Sequence, residues 1–204
     1  MTVPGRSRAL TLEDIDDLRA YERGRAEYRR RIIELKARRR VTVGPIVSFV
    51  FENRETVRSQ VQEMARAERM VTDEQIQAEL DVYNALIPEP GELSATMFIE
   101  LTGEHALRNW LPRLVGIEDA VVLELPGGDP VRAVPEAAHA DALTRTEVTA
   151  SVHYVRFTLT PDQIDRFEAG PVALVIDHPE YGERADLGAE TRRELLADLR
   201  PDRA

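Results

Sequence analysis

Residues 41–51 read Val-Thr-Val-Gly-Pro-Ile-Val-Ser-Phe-Val-Phe, a run rich in β-branched and aromatic side chains. Alternation with period two places one set of these side chains on a single face: Val41, Val43, Val47, Phe49 and Phe51. Since the other face is also mostly apolar, the run predicts a central β-strand. The Gly44-Pro45 pair predicts a bulge or an edge segment inside it, because proline cannot donate a hydrogen bond to a neighbouring strand.

Outward from this strand, helical and strand patterns follow each other without the regular spacing that a parallel sheet requires. Thr72 with Gln75 and Thr160 with Gln163 form capping boxes that begin helices. Hairpin-type sequences, in which two apolar runs flank a turn rich in Gly and Pro, recur at 121–134 and 172–187. We therefore predict one α+β domain over residues 1–204, with several helices and a mixed, largely antiparallel sheet of about six or seven strands.

Residues 12–40 predict a long basic N-terminal helix. Thr11 and Asp14 approximate a capping box, acidic side chains occupy the first turns, and cations occupy the last turns. An unbroken helix of this length would span roughly 43 Å at 1.5 Å per residue. We expect it either to project from the domain or to pack on a second subunit, which would give a homodimer through this helix.

Composition excludes several classes of protein. The chain contains 204 residues and no cysteine, so it can hold neither a disulfide nor a thiolate-ligated zinc ion or iron–sulfur cluster. Glu136 and His139 have the Glu-x-x-His spacing of di-iron bundles, but only one copy of the motif is present, and we expect a solvated surface there. We expect no metal site and no cofactor. Without a secretory signal or an apolar run of about 18–20 residues, the chain is expected to be cytoplasmic, with no membrane partner.

Charge is unevenly distributed along the chain. Residues 1–40 contain 12 Lys and Arg against 7 Asp and Glu, whereas the whole chain has a net charge of −10. The basic segment could face phosphates, an acidic protein, or the acidic remainder of this protein. Because the net charge opposes binding to a polyanion, nucleic acid is not the expected partner.

Two groups of polar residues are candidates for binding. Arg58, Gln62 and Glu63 lie on the polar side of a helix predicted at 54–69 and are either ordinary surface charges or part of a docking face or pocket. Glu92 and Glu100 flank a predicted strand and could join them. Since Glu100 sits among apolar residues, we expect it to be buried and either to pair with an arginine or to have a raised pKa.

The segment His153-Tyr154-Val155-Arg156 supplies the second group. Strand alternation places His153 on one face and Tyr154 with Arg156 on the other. Tyr154 and Arg156 could bind a carboxylate or phosphate, with His153 as a general base. The alternative is a core tyrosine beside a salt-bridged arginine. No nucleophile triad, phosphate-binding glycine loop or paired-carboxylate motif is recognisable in the sequence.

Three runs resemble the bacterial domain-of-unknown-function family 3501. They are residues 51–64 (FENRETVRSQVQEM), 83–100 (YNALIPEPGELSATMFIE) and 151–157 (SVHYVRF). The resemblance implies no known activity. It does imply that genes of this family commonly lie beside genes for a rubrerythrin and an iron–sulfur oxidoreductase. The leading hypothesis is therefore a non-catalytic accessory protein of such a peroxide or electron-transfer system that docks through the basic helix and helix 54–69. The alternative is a ligand-binding protein or enzyme with a Glu/His/Tyr/Arg pocket.

Overall fold

The computed structural model describes residues 8–136 and 148–201. Six helices occur in these residues: α1 (Leu18–Arg38), α2 (Arg54–Ala67), α3 (Asp73–Tyr83), α4 (Glu104–Trp110), α5 (Pro161–Ala169) and α6 (Ala189–Leu199). Short 3-10 turns lie at Leu12–Asp14, Asn84–Leu86 and Ile117–Ala120. The strands are β1 (Arg40–Val43), β2 (Val47–Glu52), β3 (Glu92–Ile99), β4 (Val121–Glu124), β5 (Val131–Arg132), β6 (Val134–Pro135), β7 (Val152–Thr158), β8 (Ala173–His178) and β9 (Tyr181–Asp186).

The strands form two sheets, and every pairing is antiparallel. The first sheet has the order β1-β2-β3-β7-β6 and the second has the order β5-β4-β8-β9. The predicted α+β class and antiparallel character are confirmed, but the strands divide between two sheets instead of forming one. Side chains from both sheets and from α5 and α6 share one buried core, which includes Phe49, Phe51, Met97, Leu123, Phe157, Phe167, Leu174 and Leu195.

Residues 41–51 form a hairpin, not the single strand that their alternation suggested. The chain reverses at Gly44, whose φ of +68° lies in the left-handed region that glycine tolerates. The hydroxyl of Tyr181 fastens this turn, because it donates to the carbonyl of Val43 at 2.7 Å and accepts from the amide of Ile46 at 3.2 Å. As a result, β1 is an edge strand and only β2 is central.

The N-terminal helix is shorter than residues 12–40. The Thr11–Asp14 capping box closes only a 3-10 turn, and α1 begins at Leu18 after Asp17, whose carboxylate accepts from the amides of Arg19 and Ala20. At the other end the guanidinium of Arg39 is buried, where it donates to the carbonyls of Phe51 and Glu52 and pairs with Asp198. Both ends of the helix are therefore fixed to the rest of the protein.

A second apolar cluster covers the outer face of the first sheet. It contains side chains from the N-terminal segment, α2, α3 and the 3-10 turn that follows: Leu10, Val57, Val61, Leu80, Leu86 and Ile87. Asn53 begins α2 by accepting from the amides of Glu55 and Thr56. The first sheet is thus enclosed on both faces, by the shared core on one side and by helices on the other.

Candidate functional site

The strand register of the first sheet determines which side chains meet on its outer face. One row across four strands contains Arg40, Val50, Thr96 and Tyr154. Glu52 lies two residues beyond Val50 on β2, and therefore on the same face. Polar and charged groups from distant parts of the chain consequently share a surface that α2 and α3 partly cover.

A cavity of about 250 Å³ lies between this face and the helices. Its walls combine apolar side chains with charged and hydroxyl-bearing ones: Lys36, Arg40, Val50, Glu52, Val57, Gln60, Tyr83, Leu86, Thr96, Phe98, Val152 and Tyr154. A partly open cavity with a few convergent polar groups is typical of small-molecule sites. We therefore take it as the candidate functional site.

Glu52 is the buried charged group of this cavity. Only 8% of the residue is exposed, and its carboxylate accepts hydrogen bonds from Thr56 Oγ1 at 2.5 Å and Thr96 Oγ1 at 2.6 Å. Across the described parts of the chain, no Lys, Arg or His forms an ion pair with this carboxylate. Burial of a carboxylate away from a cation is unfavourable unless another group compensates it. Glu52 therefore marks the place where a cation would be stabilised.

Sequence reasoning missed Glu52, although a signal was present. Its carboxylate follows the apolar strand run directly and precedes the helix-capping Asn53. This position puts it beside the N-terminus of α2, where the helix dipole favours negative charge.

Tyr154 is the residue of the predicted set that lines the cavity. Burial is the main cause of its raised pKa, and the nearby Tyr83 and Glu52 add to the effect. The hydroxyl therefore stays protonated at neutral pH and can donate a hydrogen bond. Tyr154 and Val152, both on β7, line the cavity.

Two cations, Lys36 and Arg40, line the same cavity. Arg40 Nη1 donates to Ser48 Oγ and to Glu100 Oε1, both at 2.7 Å, and its guanidinium lies 5.7 Å from the centre of the Phe98 ring. The expected burial of Glu100 is not found, because 54% of its side chain is exposed. The expected arginine partner is found, and the hydrogen bonds from Ser48 and Arg40 lower the pKa of Glu100.

Arg156 and Glu92 bind each other beside the cavity. Arg156 donates to the carboxylate of Glu92 and to the carbonyl of Ala85, and it lies 3.6 Å from the carboxylate of Glu136. These bonds attach β7 to the segment after α3, so Arg156 is engaged as a salt-bridged arginine, the alternative left open above. His139, the other half of the Glu136 motif, lies outside the described residues.

His153 faces the opposite side of the sheet from Tyr154, as strand alternation predicts. Its Nε2 lies 2.9 Å from both Thr149 Oγ1 and the carbonyl of Ala150, and its Nδ1 lies 3.8 Å from Glu118 Oε2. Since His153 is buried on the inner face, it does not meet Glu100 or Arg156. The sequence-predicted residues therefore do not converge in one pocket.

The three candidates on α2 bind other parts of the same chain. Gln62 is buried, and its side-chain amide accepts from the amide and donates to the carbonyl of Asp16, both at 2.9 Å. Arg58 donates to the carbonyl of Asp14 at 2.6 Å. Glu63 accepts from Arg25 and from the hydroxyl of Tyr21. This side of α2 holds α1 and the N-terminal segment.

Helix α1, in contrast, exposes much of its basic surface. Its exposed cations are Arg19, Arg23, Arg29, Arg30 and Arg31, and none of them forms an ion pair with a described residue. The same helix exposes 63% of Ile33. This face is therefore available to a partner.

Metal-ligand clusters and membrane spans were also sought. Within residues 8–136 and 148–201, no three His, Asp or Glu side chains gather into a group that could hold a metal ion. No helix in these residues has the length and apolar character needed to cross a bilayer.

Comparison with known proteins identifies relatives without a known function. A family model described as "Protein of unknown function (DUF3501)" matches residues 9–199. The crystal structure of a novel protein of unknown function from Burkholderia pseudomallei K96243 is similar, with 36% sequence identity and a TM-score of 0.86. The match covers 94% of this chain and 99% of that chain. No curated protein matches.

Proposed function

Because the chain belongs to the DUF3501 family of proteins of unknown function, we propose a function from the geometry of its cavity: it binds a small molecule between the first sheet and helices α1 to α3. The buried Glu52 carboxylate is the observation that carries this proposal. A cleft of about 250 Å³ beside a buried carboxylate that has no ion-pair partner among the described residues favours a ligand as its occupant.

Obstruction of the cavity tests this proposal. Val152 lies in the cavity wall, and Val152→Phe would place a ring in the space. Val134→Phe is the matched control, because Val134 belongs to the same sheet, is 65% exposed and does not line the cavity. We expect native mass spectrometry to detect a small molecule on the wild type and on Val134→Phe, and to find it lost from Val152→Phe. A molecule that stays bound to folded Val152→Phe would contradict the proposal.

A second candidate function is supported by the exposed basic face of α1. The family resemblance implies that the gene for this protein lies beside genes for a rubrerythrin and an iron–sulfur oxidoreductase. We propose that the protein also serves as a cytoplasmic accessory to such a peroxide or electron-transfer system, and that α1 docks on an acidic surface of one of these redox proteins. Contact between opposite charges at a solvated surface would be sensitive to salt.

Charge reversal on α1 tests the docking function. Arg23→Glu with Arg30→Glu reverses two exposed charges, and Arg108→Glu on α4 is the control, since 74% of the Arg108 side chain is exposed. We expect the tagged wild type and the control to retain the rubrerythrin or the oxidoreductase at low salt, and the double variant to release it. Light scattering would show whether a second copy of this chain occupies the face instead. Retention of the redox protein by the double variant would contradict docking through α1.

A further inference from the structure

The cavity carries opposite charges on its two sides. The Glu52 carboxylate lies on β2, while Lys36 comes from the last turn of α1 and Arg40 from β1. Lys36 forms no ion pair with any residue that the structure describes. Both hydrogen bonds that the Arg40 side chain makes, to Ser48 and to Glu100, come from Nη1, so Nε and Nη2 have no hydrogen bond to a described residue.

The strand register sets the spacing of these groups along the sheet. Arg40 pairs directly with Val50, but its guanidinium bonds to Ser48, two residues before Val50, whereas Glu52 is two residues after it. Ser48 and Glu52 are roughly 13 Å apart along β2. A ligand with a positive group near Glu52 and a negative group near Arg40 therefore needs a linker of several bonds.

The remaining walls suit that linker and the positive group. Val50, Leu86 and Phe98 provide apolar contacts for methylene groups. Tyr83 and Tyr154 also line the cavity, and aromatic faces attract ammonium groups.

We infer that the cavity binds a zwitterion, with an ammonium group on Glu52 and a carboxylate on Lys36 and Arg40. This inference rests on the proposed binding function and narrows it to a chemical class. A simple anion would leave the buried carboxylate of Glu52 uncompensated and would be repelled by it. A simple amine would leave Lys36 without an anionic partner among the described residues.

Isothermal titration calorimetry with defined probes tests the inference. The probes are glycine, β-alanine, 4-aminobutanoate and 6-aminohexanoate, together with butanoate and butylamine, each of which lacks one charged end. We expect one of the longer amino acids to bind, and butanoate and butylamine to bind at least about tenfold more weakly, because charge-assisted hydrogen bonds are lost.

Variants at both ends of the cavity show where the ligand binds. Glu52→Gln keeps an acceptor for Thr56 and Thr96 but removes the charge, and Lys36→Met removes the cation from a partly exposed position. We expect each to weaken binding by at least about tenfold. Glu104→Gln, on an exposed part of α4, is the control and should bind as the wild type does. If Glu52→Gln does not fold, Lys36→Met still tests whether the ligand binds in this cavity.

The outcomes separate this inference from the proposed function. Wild-type affinity in both folded variants would overturn the zwitterion, and so would equal binding of butanoate or butylamine. If one of those two binds and Val152→Phe abolishes it, the binding function stands and the zwitterion fails. If no probe binds at millimolar concentration and native mass spectrometry finds no small molecule, both fail.

Discussion

Glu63 joins α1 to α2, and its removal gives a quantitative test of how these helices are held. Its carboxylate accepts from Arg25 Nε at 2.8 Å, from Arg25 Nη2 at 2.9 Å and from the hydroxyl of Tyr21 at 2.6 Å. The bonds from Arg25 are the main cause of its low pKa, which falls from 4.5 to about 2. Glu63→Gln would remove the charge and keep a side chain of nearly the same size.

The lowered pKa sets both the size and the pH dependence of the effect. A fall from 4.5 to about 2 corresponds to about 3.4 kcal/mol at 1.36 kcal/mol per pH unit. Because 32% of the Glu63 side chain and 21% of the Arg25 side chain are exposed, solvent screening reduces this, and we expect about 1–2 kcal/mol. A group with a lowered folded-state pKa contributes its full stability above pH 4.5, and that contribution declines as pH falls toward 2.

Urea denaturation between pH 4 and pH 8 measures the difference between Glu63→Gln and the wild type. We expect a constant difference in the free energy of unfolding from pH 6 to pH 8, with roughly a quarter of it lost at pH 4. Glu34→Gln on exposed α1 is the matched control and should change stability by less than about 0.5 kcal/mol. A difference for Glu63→Gln as small as that of the control, or one that grows as pH falls, would refute this account of the α1–α2 contact.

Two further predictions concern the backbone turn and the buried arginine. Gly44→Ala should lower stability in thermal melts by about 1–3 kcal/mol, because φ is +68° and the new Cβ would lie 2.5 Å from the Tyr181 hydroxyl. Gly24→Ala, on the open surface of a helix, should raise stability by roughly 0.5–1 kcal/mol. Arg39→Met should cost about 3–5 kcal/mol in urea denaturation, since it leaves Asp198 buried without its cation, and adding Asp198→Asn should recover part of the loss. An equal effect of the two glycine substitutions, or no recovery in the double variant, would count against these explanations.

Several helix starts and the faces of strand side chains were predictable because they depend on residues close together in sequence. Thr160 caps α5 by accepting from the amide of Gln163, three residues away, and Thr72 and Gln75 do the same for α3. His153 and Tyr154 lie on opposite faces because a strand alternates with period two. None of these features needs a distant partner.

The hairpin of residues 41–51 shows where such local reasoning failed. Alternation continues in phase across Gly44 and Pro45, so the pattern cannot distinguish one long strand from two short ones. Tyr181, more than 130 residues away, bonds to both sides of the turn. The division into two sheets likewise depends on which strands pair, and the hydrophobic pattern does not specify partners.

By itself, the sequence determined the α+β class, the antiparallel character, several helix caps and the face on which each strand residue lies. These follow from backbone geometry and from hydrogen bonds that span a few residues. Only the tertiary structure decided that Glu52 accepts a hydrogen bond from Thr96, 44 residues away. It also placed Glu52 in one cavity with Lys36 and Tyr154. Gln62 and Glu63 form hydrogen bonds with other parts of the same chain, which the sequence did not reveal. A cavity exists only between packed elements, and its charges are compensated or left uncompensated by neighbours that chain order does not identify.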